Sequence, residues 1–254
     1  MSIAELSFHQ FRNLQSETIK FHQALNFVTG LNGSGKSSLL ESMFFIGHGK
    51  SFRTSSPERV IQKDCESFVV SVLTFEQVRL GVKKSLTAQH SQLKINGQKC
   101  QRMSDFAQHL ALQIITPESF RLFSGGAKER RRFVDLGVFH VKHSFSQTWR
   151  QFSKVLKQRN ACLKMRAGGS QLHQWDVQFV ELSTELDRLR EEYIAKLSEQ
   201  LEKWTALLLP EKSLELIVSY QRGWSSKKAL AEVLKENQYR EFEKGFSLYG
   251  AHKF

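Results

Sequence analysis

Eight consecutive residues, Gly30-Leu31-Asn32-Gly33-Ser34-Gly35-Lys36-Ser37, carry the spacing G-x-x-x-x-G-K-S. Glycines at these positions let the backbone turn tightly, so that successive N–H groups point inward at the α- and β-phosphates of a nucleotide. Lys36 is then placed for the β/γ-phosphates, and the Ser37 hydroxyl for Mg²⁺. Residues 25–29 (LNFVT) have the composition of a short buried strand, and residues 38–45 (SLLESMFF) the apolar spacing of a helix. That strand and helix would deliver the phosphate to a helix N-terminus, where the macrodipole favours an anion.

A second feature is a charge block. The 254 residues hold 37 Lys and Arg against 25 Asp and Glu, a formal charge of +12, and the excess is uneven. Residues 120–166 carry 12 basic and 2 acidic side chains, whereas residues 167–254 carry 12 and 14. A basic segment of that density is an electrostatic footprint for a polyanion such as DNA or RNA. Arg130, Arg131, Arg132, Lys154, Lys157 and Arg159 are its candidate phosphate contacts. The plainer reading of such a block is a solvated helix face that binds nothing.

Other chemistry finds less support. Cys65, Cys100 and Cys162 are odd in number and far apart, which predicts free thiols in a reducing compartment. His140-Val141-Lys142-His143 is the only close histidine pair and lacks other ligands at metal spacing, which predicts surface imidazoles. No run of eighteen apolar residues exists, and the N-terminus has no signal-peptide pattern, so neither a membrane span nor a leader is expected. Nucleotide hydrolysis also needs a carboxylate at the end of an apolar strand to help hold Mg²⁺. The nearest candidate is Phe133-Val134-Asp135, but Arg130-Arg131-Arg132 directly before it is wrong for a buried strand. Residues 123–130 (FSGGAKER) resemble an ABC signature, yet the basic, helical residues after them predict a linker or helix start.

The elements that must position these residues follow from periodicity. Residues 3–8, 68–75, 78–82 and 92–97 alternate as strands, the last closing on an Asn96-Gly97 turn. A helix over residues 103–110 and a buried strand over 112–115 complete a mixed α/β lobe, part of its sheet antiparallel. From Phe145 apolar residues recur in steps of three and four. After residues 167–170 (AGGS) the pattern restarts at Leu172 and runs through Trp175, Phe179, Leu186 and Leu189 to Trp204. Two such helices joined by Gly-Gly-Ser predict an antiparallel hairpin, the second helix roughly 50 Å long and projecting as an arm. Pro210 should end it. Residues 214–220 alternate like a strand, and Ser225 could cap a helix running to about Lys244.

Phe11-Arg12-Asn13, the 30–37 loop, residues 47–53 (GHGKSFR), 115–118 (ITPE), Gly126-x-x-x-Arg130-Arg131-x-x-x-Asp135, 156–160 (LKQRN) and 221–224 (QRGW) resemble the RecF family in order and spacing. The resemblance runs from residue 3 to about 253. It implies an ABC-type ATPase head like that of SMC proteins, divided here as 1–125 for the ATPase lobe and 126–245 for a helical lobe, with 246–254 starting a return to the head. It further implies ATP with Mg²⁺, ATP-dependent homodimerisation and slow ATP hydrolysis in the cytoplasm. The DNA it implies is duplex near single-strand/duplex junctions, with a RecR-like partner in loading RecA. Residues 116–118 (TPE) would stand at the Q-loop that senses Mg²⁺, with Gln113 as the alternative. Where the family reads Gly-Pro-His-Arg/Lys-Asp-Asp, this chain reads Gly250-Ala251-His252-Lys253-Phe254. The family's later signature and Walker B are then expected to be missing, as in a truncated or frameshifted product or a fragment, and hydrolysis with them. The competing readings are a P-loop NTPase or kinase acting on a small substrate, and a helical-arm interaction protein with a vestigial nucleotide site.

Overall fold

The computed structural model describes residues 2–166, 169–210 and 217–254. The chain divides into two compact units, one up to Thr116 and one from Pro117 to Phe254.

The first unit contains β1 (Ile3–His9), β2 (Glu17–Lys20), helix α1 (Lys36–His48), β3 (Ser67–Thr74), β4 (Arg79–Ser85), β5 (Gln92–Ile95), β6 (Gln98–Cys100) and α2 (Met103–Ala107). The strands form one sheet in the order β2-β1-β3-β4-β5-β6, and every described pairing in it is antiparallel. Strict alternation explains the buried face: Phe68, Val70 and Val72 of β3 point inward with Leu80 and Val82 of β4. Helix α1 lays Phe45 and Ile46 on that face. Phe11, Phe45 and Phe68 meet edge to face with centroids 5.0–6.4 Å apart, the arrangement that ring quadrupoles favour. Between β5 and β6 both turn residues have positive φ, 48° at Asn96 and 82° at Gly97, as a two-residue hairpin loop requires. The Asn96 carboxamide oxygen also accepts the Arg79 N–H at 2.8 Å.

Two expected strands do not form. In residues 25–29, Asn26 turns back on His22, its amide donating to the His22 carbonyl and its oxygen accepting the His22 N–H, both at 2.7 Å. This local closure bends the chain, and no described residue pairs with it as a strand, so Phe27 stands 83% exposed. Residues 112–115 are likewise without ladder partners, and Ile115 is 88% exposed. An apolar run marks a strand only when a neighbouring strand satisfies its backbone.

The second unit is helical: α3 (Arg121–Ser124), α4 (Ala127–Val141), α5 (His143–Met165), α6 (Gly169–Leu208) and α7 (Leu230–Lys244). The FSGGAKER stretch is a helix start, with Gly126 at the N-cap of α4. Helices α5 and α6 form the antiparallel hairpin: Arg159 meets Asp176, Phe152 meets Phe179, and Lys142, just before α5, meets Glu192. The first half of α6 is bundle, burying Leu172, Phe179, Leu186 and Leu189, while its last turns expose Trp204 and Leu207. Helix α6 ends at Leu208, two residues before Pro210. Of the expected strand at 214–220, residues 214–216 lie outside the described residues and 217–220 pair with nothing as a strand; residues 167–168 of the hairpin linker are also outside. Helix α7 starts five residues beyond Ser225, its entry held by the Glu232 carboxylate on the Ala229 N–H at 3.3 Å. Residues 246–254 pack inside this unit against α5 and α6. Among the described residues no helix is long and apolar enough to cross a membrane.

Candidate functional site

The 30–37 loop enters α1 through three glycines of positive φ: 150° at Gly30, 83° at Gly33 and 102° at Gly35. Gly35 occupies the N-cap of α1 with no side chain to cap it, so the N–H groups of the first turn face outward as donors. A Cβ on Gly35 would sit 2.8 Å from the Leu14 side chain, and its φ is strained for any L side chain. The ammonium of Lys36 donates to the carbonyls of Gly30 and Leu31, each at 2.8 Å, which spans the loop from its helix end to its start. Ser37 is exposed beside it. The Lys36 ammonium and the Ser37 hydroxyl are thus both on the first turn of α1.

Asn13 braces the loop from outside. Its amide donates to the Gly33 carbonyl at 3.1 Å, while its oxygen accepts the hydroxyl of buried Ser38 at 2.8 Å. The segment carrying Asn13 is itself fixed to residues 60–62: Phe11 bridges Ile61, Arg12 N–H donates to Val60, and Gln62 N–H to Gln10.

Around this loop opens a cavity of about 570 Å³, within the usual range for small-ligand sites. Besides Lys36 its wall holds Arg12, Arg53, Arg59 and Lys63, and no carboxylate among the described residues lines it. Beneath the wall lies one fully buried carboxylate, Glu41 of α1. It takes two hydrogen bonds from Arg12, at 3.0 and 2.7 Å, one from the Ser51 hydroxyl, and an ion pair from Arg53 at 3.5 Å. Glu41 thus aims two guanidinium groups from distant segments at one cavity. The cations at 12, 53, 59 and 63 were not singled out as site residues from the sequence. Phe11-Arg12-Asn13 and the 47–53 stretch stood out there only as points of family similarity, and nothing in their spacing tied them to the loop. Gln113 is outside the cavity wall, its amide turned to the Ile114 carbonyl at 3.2 Å; Glu118 begins the second unit in a short 3₁₀ turn, Pro117–Phe120.

The basic candidates of the second unit separate into four groups, the last of them Arg159 alone. Arg130 and Arg132 are exposed on α4, Arg130 donating to the Gly125 carbonyl at 2.8 Å. Arg131 is half-buried and donates to the Phe254 carbonyl at 2.9 Å. At about 100° per residue, three consecutive helical positions cannot share one face. Lys154 and Lys157 are exposed, one turn apart on α5.

Arg159 must be removed from the surface set. It is 1% exposed and bound on all sides: Nε to Asp176 and Nη2 to Glu241 at 2.7 Å, and Nη1 to the Ser247 hydroxyl at 2.7 Å. A fully satisfied guanidinium inside a helical core cannot reach a phosphate without breaking that core. Arg190 is a second buried hub, holding Asp135 at 2.8 and 3.1 Å and the Ala251 carbonyl at 2.6 Å, with the Phe254 ring 3.9 Å away. Asp135 is therefore a helical partner of Arg190. His252 lies against the Phe152 and Phe179 rings, and burial pushes its imidazole down to about 4. Tyr220 donates to Asp187 at 2.7 Å, and burial with that carboxylate raises its phenol. Cys65, Cys100 and Cys162 carry no disulfide, and no cluster of potential metal-ligating side chains exists among the described residues.

The RecF/RecN/SMC N terminal domain family matches residues 2–130. The DNA replication and repair protein RecF of Colwellia psychrerythraea is 47% identical over 254 residues, which are all of this chain and 67% of that protein. Its counterpart from Pseudoalteromonas translucida is 40% identical, again over the whole chain and 70% of the relative. The fold superposes on the solved recombination mediator protein RecF-ATP of the RecFOR pathway with a TM-score of 0.83 and 24% identity, covering 99% of this chain and 71% of that one. An α/β lobe with an antiparallel sheet and a helical second lobe is thus the ABC/SMC-like architecture of that structure. The chain belongs to the RecF family.

Proposed function

We propose that this chain binds ATP with Mg²⁺ through Gly30, Leu31, Asn32, Gly33, Ser34, Gly35, Lys36 and Ser37, and that it serves DNA replication and recombinational repair. The observation that carries the reading is the cavity itself. Three glycines hold positive φ, a conformation that L side chains rarely adopt, on the way into a helix start, Lys36 is held across the loop at 2.8 Å from two carbonyls, and four further cations line the wall. Such a donor set fits a polyphosphate: backbone N–H groups take the β-phosphate, Lys36 the β/γ oxygens, and Ser37 the metal. Bound Mg²⁺ would supply charge neutralisation between the β and γ oxygens. Arg12 and Arg53, both paired with buried Glu41, add positive charge to the same cavity. No described carboxylate lines the cavity to help hold the metal, so turnover of this chain is expected at background.

The relatives described as DNA replication and repair proteins support carrying the same process to this chain. In this reading the second unit meets the DNA backbone through Arg130, Arg132, Lys154 and Lys157, with duplex near single-strand/duplex junctions as substrate. A RecR-like partner, a role in loading RecA and an ATP-dependent homodimer complete it, as the family resemblance implies, in the cytoplasm. The nucleotide lobe in this reading is the unit up to Thr116, and the helical lobe is the unit Pro117–Phe254 rather than 126–245.

The test is equilibrium binding of a fluorescent ATP analogue to the parent and to Lys36→Ala. The substitution removes the ammonium that meets the β/γ-phosphates and leaves the core of the first unit untouched. Binding is expected to vanish while the circular dichroism spectrum stays. Equal affinity in the two proteins would end the nucleotide reading and favour a helical-arm interaction protein.

A further inference from the structure

Helices α5 and α6 enclose a second groove, of about 720 Å³, wholly within the helical unit. From α5 it is lined by Gln151, Lys154, Lys157 and Gln158, and from α6 by Trp175, Gln178, Glu181 and Leu182. On each helix these positions recur in steps of three and four, so each set is one continuous face. Trp175 is half-buried, packed between the core of the hairpin and the cluster around Leu163 and Leu172. Gln151, Lys154, Lys157, Gln158, Gln178 and Glu181 are all exposed. None of the six has a side-chain hydrogen bond or ion pair to a described residue, in contrast with the satisfied Arg159 of the same helix α5.

We propose that this groove holds a segment of single-stranded DNA, with a base stacked on Trp175 and neighbouring phosphates against Lys154 and Lys157. The proposal rests on the reading that the helical unit binds DNA, and it names a different form of DNA for this face. A ring can stack only on an exposed base, and a duplex keeps its base faces covered; an unpaired strand offers them freely. The groove is also polarised across its width. Its two ammonium groups lie on the α5 side, suiting the phosphate edge of a strand. The acceptor Glu181 and the amide of Gln178 lie on the α6 side, suiting the amino and carbonyl groups of base edges. An acidic peptide would set its carboxylates against Glu181 as well as against the lysines, which the polarity disfavours.

The test uses the full chain with a short fluorescein-labelled oligothymidylate, a matched duplex and polyglutamate as probes, at fixed low salt. Trp175→Leu is expected to weaken oligothymidylate binding about tenfold or more, the scale of one lost stacked base, while duplex affinity stays at the parent value. Trp175→Phe keeps a smaller ring and should lose much less. Because Trp175 also packs in the core, Gln151→Ala with Gln178→Ala provides the second arm: both are exposed, and the pair should weaken the single strand alone. Parent-like oligothymidylate affinity in the Trp175→Leu and glutamine variants, with duplex still bound, would overturn the groove and leave the basic surface of the helical unit standing. Failure of the parent to bind either DNA would overturn both readings. Trp175-dependent binding of polyglutamate, with no oligothymidylate binding, would overturn the nucleic-acid assignment in favour of an acidic protein partner.

Discussion

Lys36 in the first unit and Arg159 in the second are both cations that stand out in the sequence beside recognisable motifs, and the fold treats them in opposite ways. Lys36 sits on the first turn of α1 and spans a loop of eight residues, its ammonium bonded, among the described residues, to two backbone carbonyls of that same loop. Arg159 is surrounded by α6, α7 and the 246–254 segment, and its partners lie 17, 82 and 88 residues away. A side chain whose surroundings are local is placed by its motif. One whose surroundings are distant is placed by packing, and net charge says nothing about which of the two applies.

The largest effect should come from breaking the distant kind of placement. Arg159→Ala leaves the fully buried Glu241 and the half-buried Asp176 without their cation, a defect of about 3–5 kcal/mol. Denaturant unfolding followed by far-UV dichroism reads it, and DNA affinity should fall only in proportion to the unfolded fraction. An Arg159→Ala protein of parental stability with lost DNA binding would return Arg159 to the surface.

The next effect tests the packing of the same core through pH. His252 titrates near 4 when folded against about 6.5 when free, because burial beside the Phe152 and Phe179 rings disfavours its charged form. The unfolded chain therefore binds the proton first. Stability is complete above about pH 6.5 and declines as pH falls toward 4, by roughly 3 kcal/mol in all. His252→Phe should flatten that segment of the stability–pH curve. An unchanged slope would mean that other groups carry the acid sensitivity of the helical unit.

Much of this could be read from residue order, for physical reasons that differ by element. The 30–37 loop, the Asn96-Gly97 turn and the alternation of β3 are short-range patterns whose geometry is set within a few residues. The α5–α6 hairpin was legible because its heptad-like spacing implies a partner helix, and the next such helix is its neighbour. Residues 25–29 failed because a strand exists only with a ladder partner, and Asn26 bonds to His22 instead. The cations at 12, 53, 59 and 63 were unreadable as site residues because they reach the cavity from separate segments, Arg12 and Arg53 gathered there by Glu41. Glu41 itself reads as one more polar residue on a helix.

A smaller effect probes local placement at its tightest point. Gly35→Ala puts a Cβ 2.8 Å from Leu14 at a φ of 102°, which costs about 1–3 kcal/mol and twists the N-terminus of α1. Nucleotide affinity should fall with it, while the stability of the helical unit does not change. Calorimetry that resolves two transitions would assign the loss to the first unit. A variant with full affinity and no loss would mean that the loop tolerates a side chain and that its glycines are not needed for the nucleotide.

The smallest change in stability belongs to the exposed lysines, and it sharpens the contrast with Arg159 most directly. Lys154→Gln and Lys157→Gln remove surface ammonium groups that hold no ion pair with a described residue, so folding free energy should move by less than about 0.5 kcal/mol. DNA binding should move more. Each phosphate contact removed lowers the slope of log affinity against log salt by about 0.9 for a duplex and 0.7 for a single strand. The double variant should therefore flatten the single-strand slope by about 1.4 if both lysines meet phosphates in the groove. Arg130→Gln with Arg132→Gln provides the matching pair on α4, whose effect should appear on the duplex slope. Should the α5 pair flatten neither slope while the α4 pair flattens both, Lys154 and Lys157 would be solvated charges. The DNA surface would then lie along α4, with Arg131 held back from it by the Phe254 carbonyl.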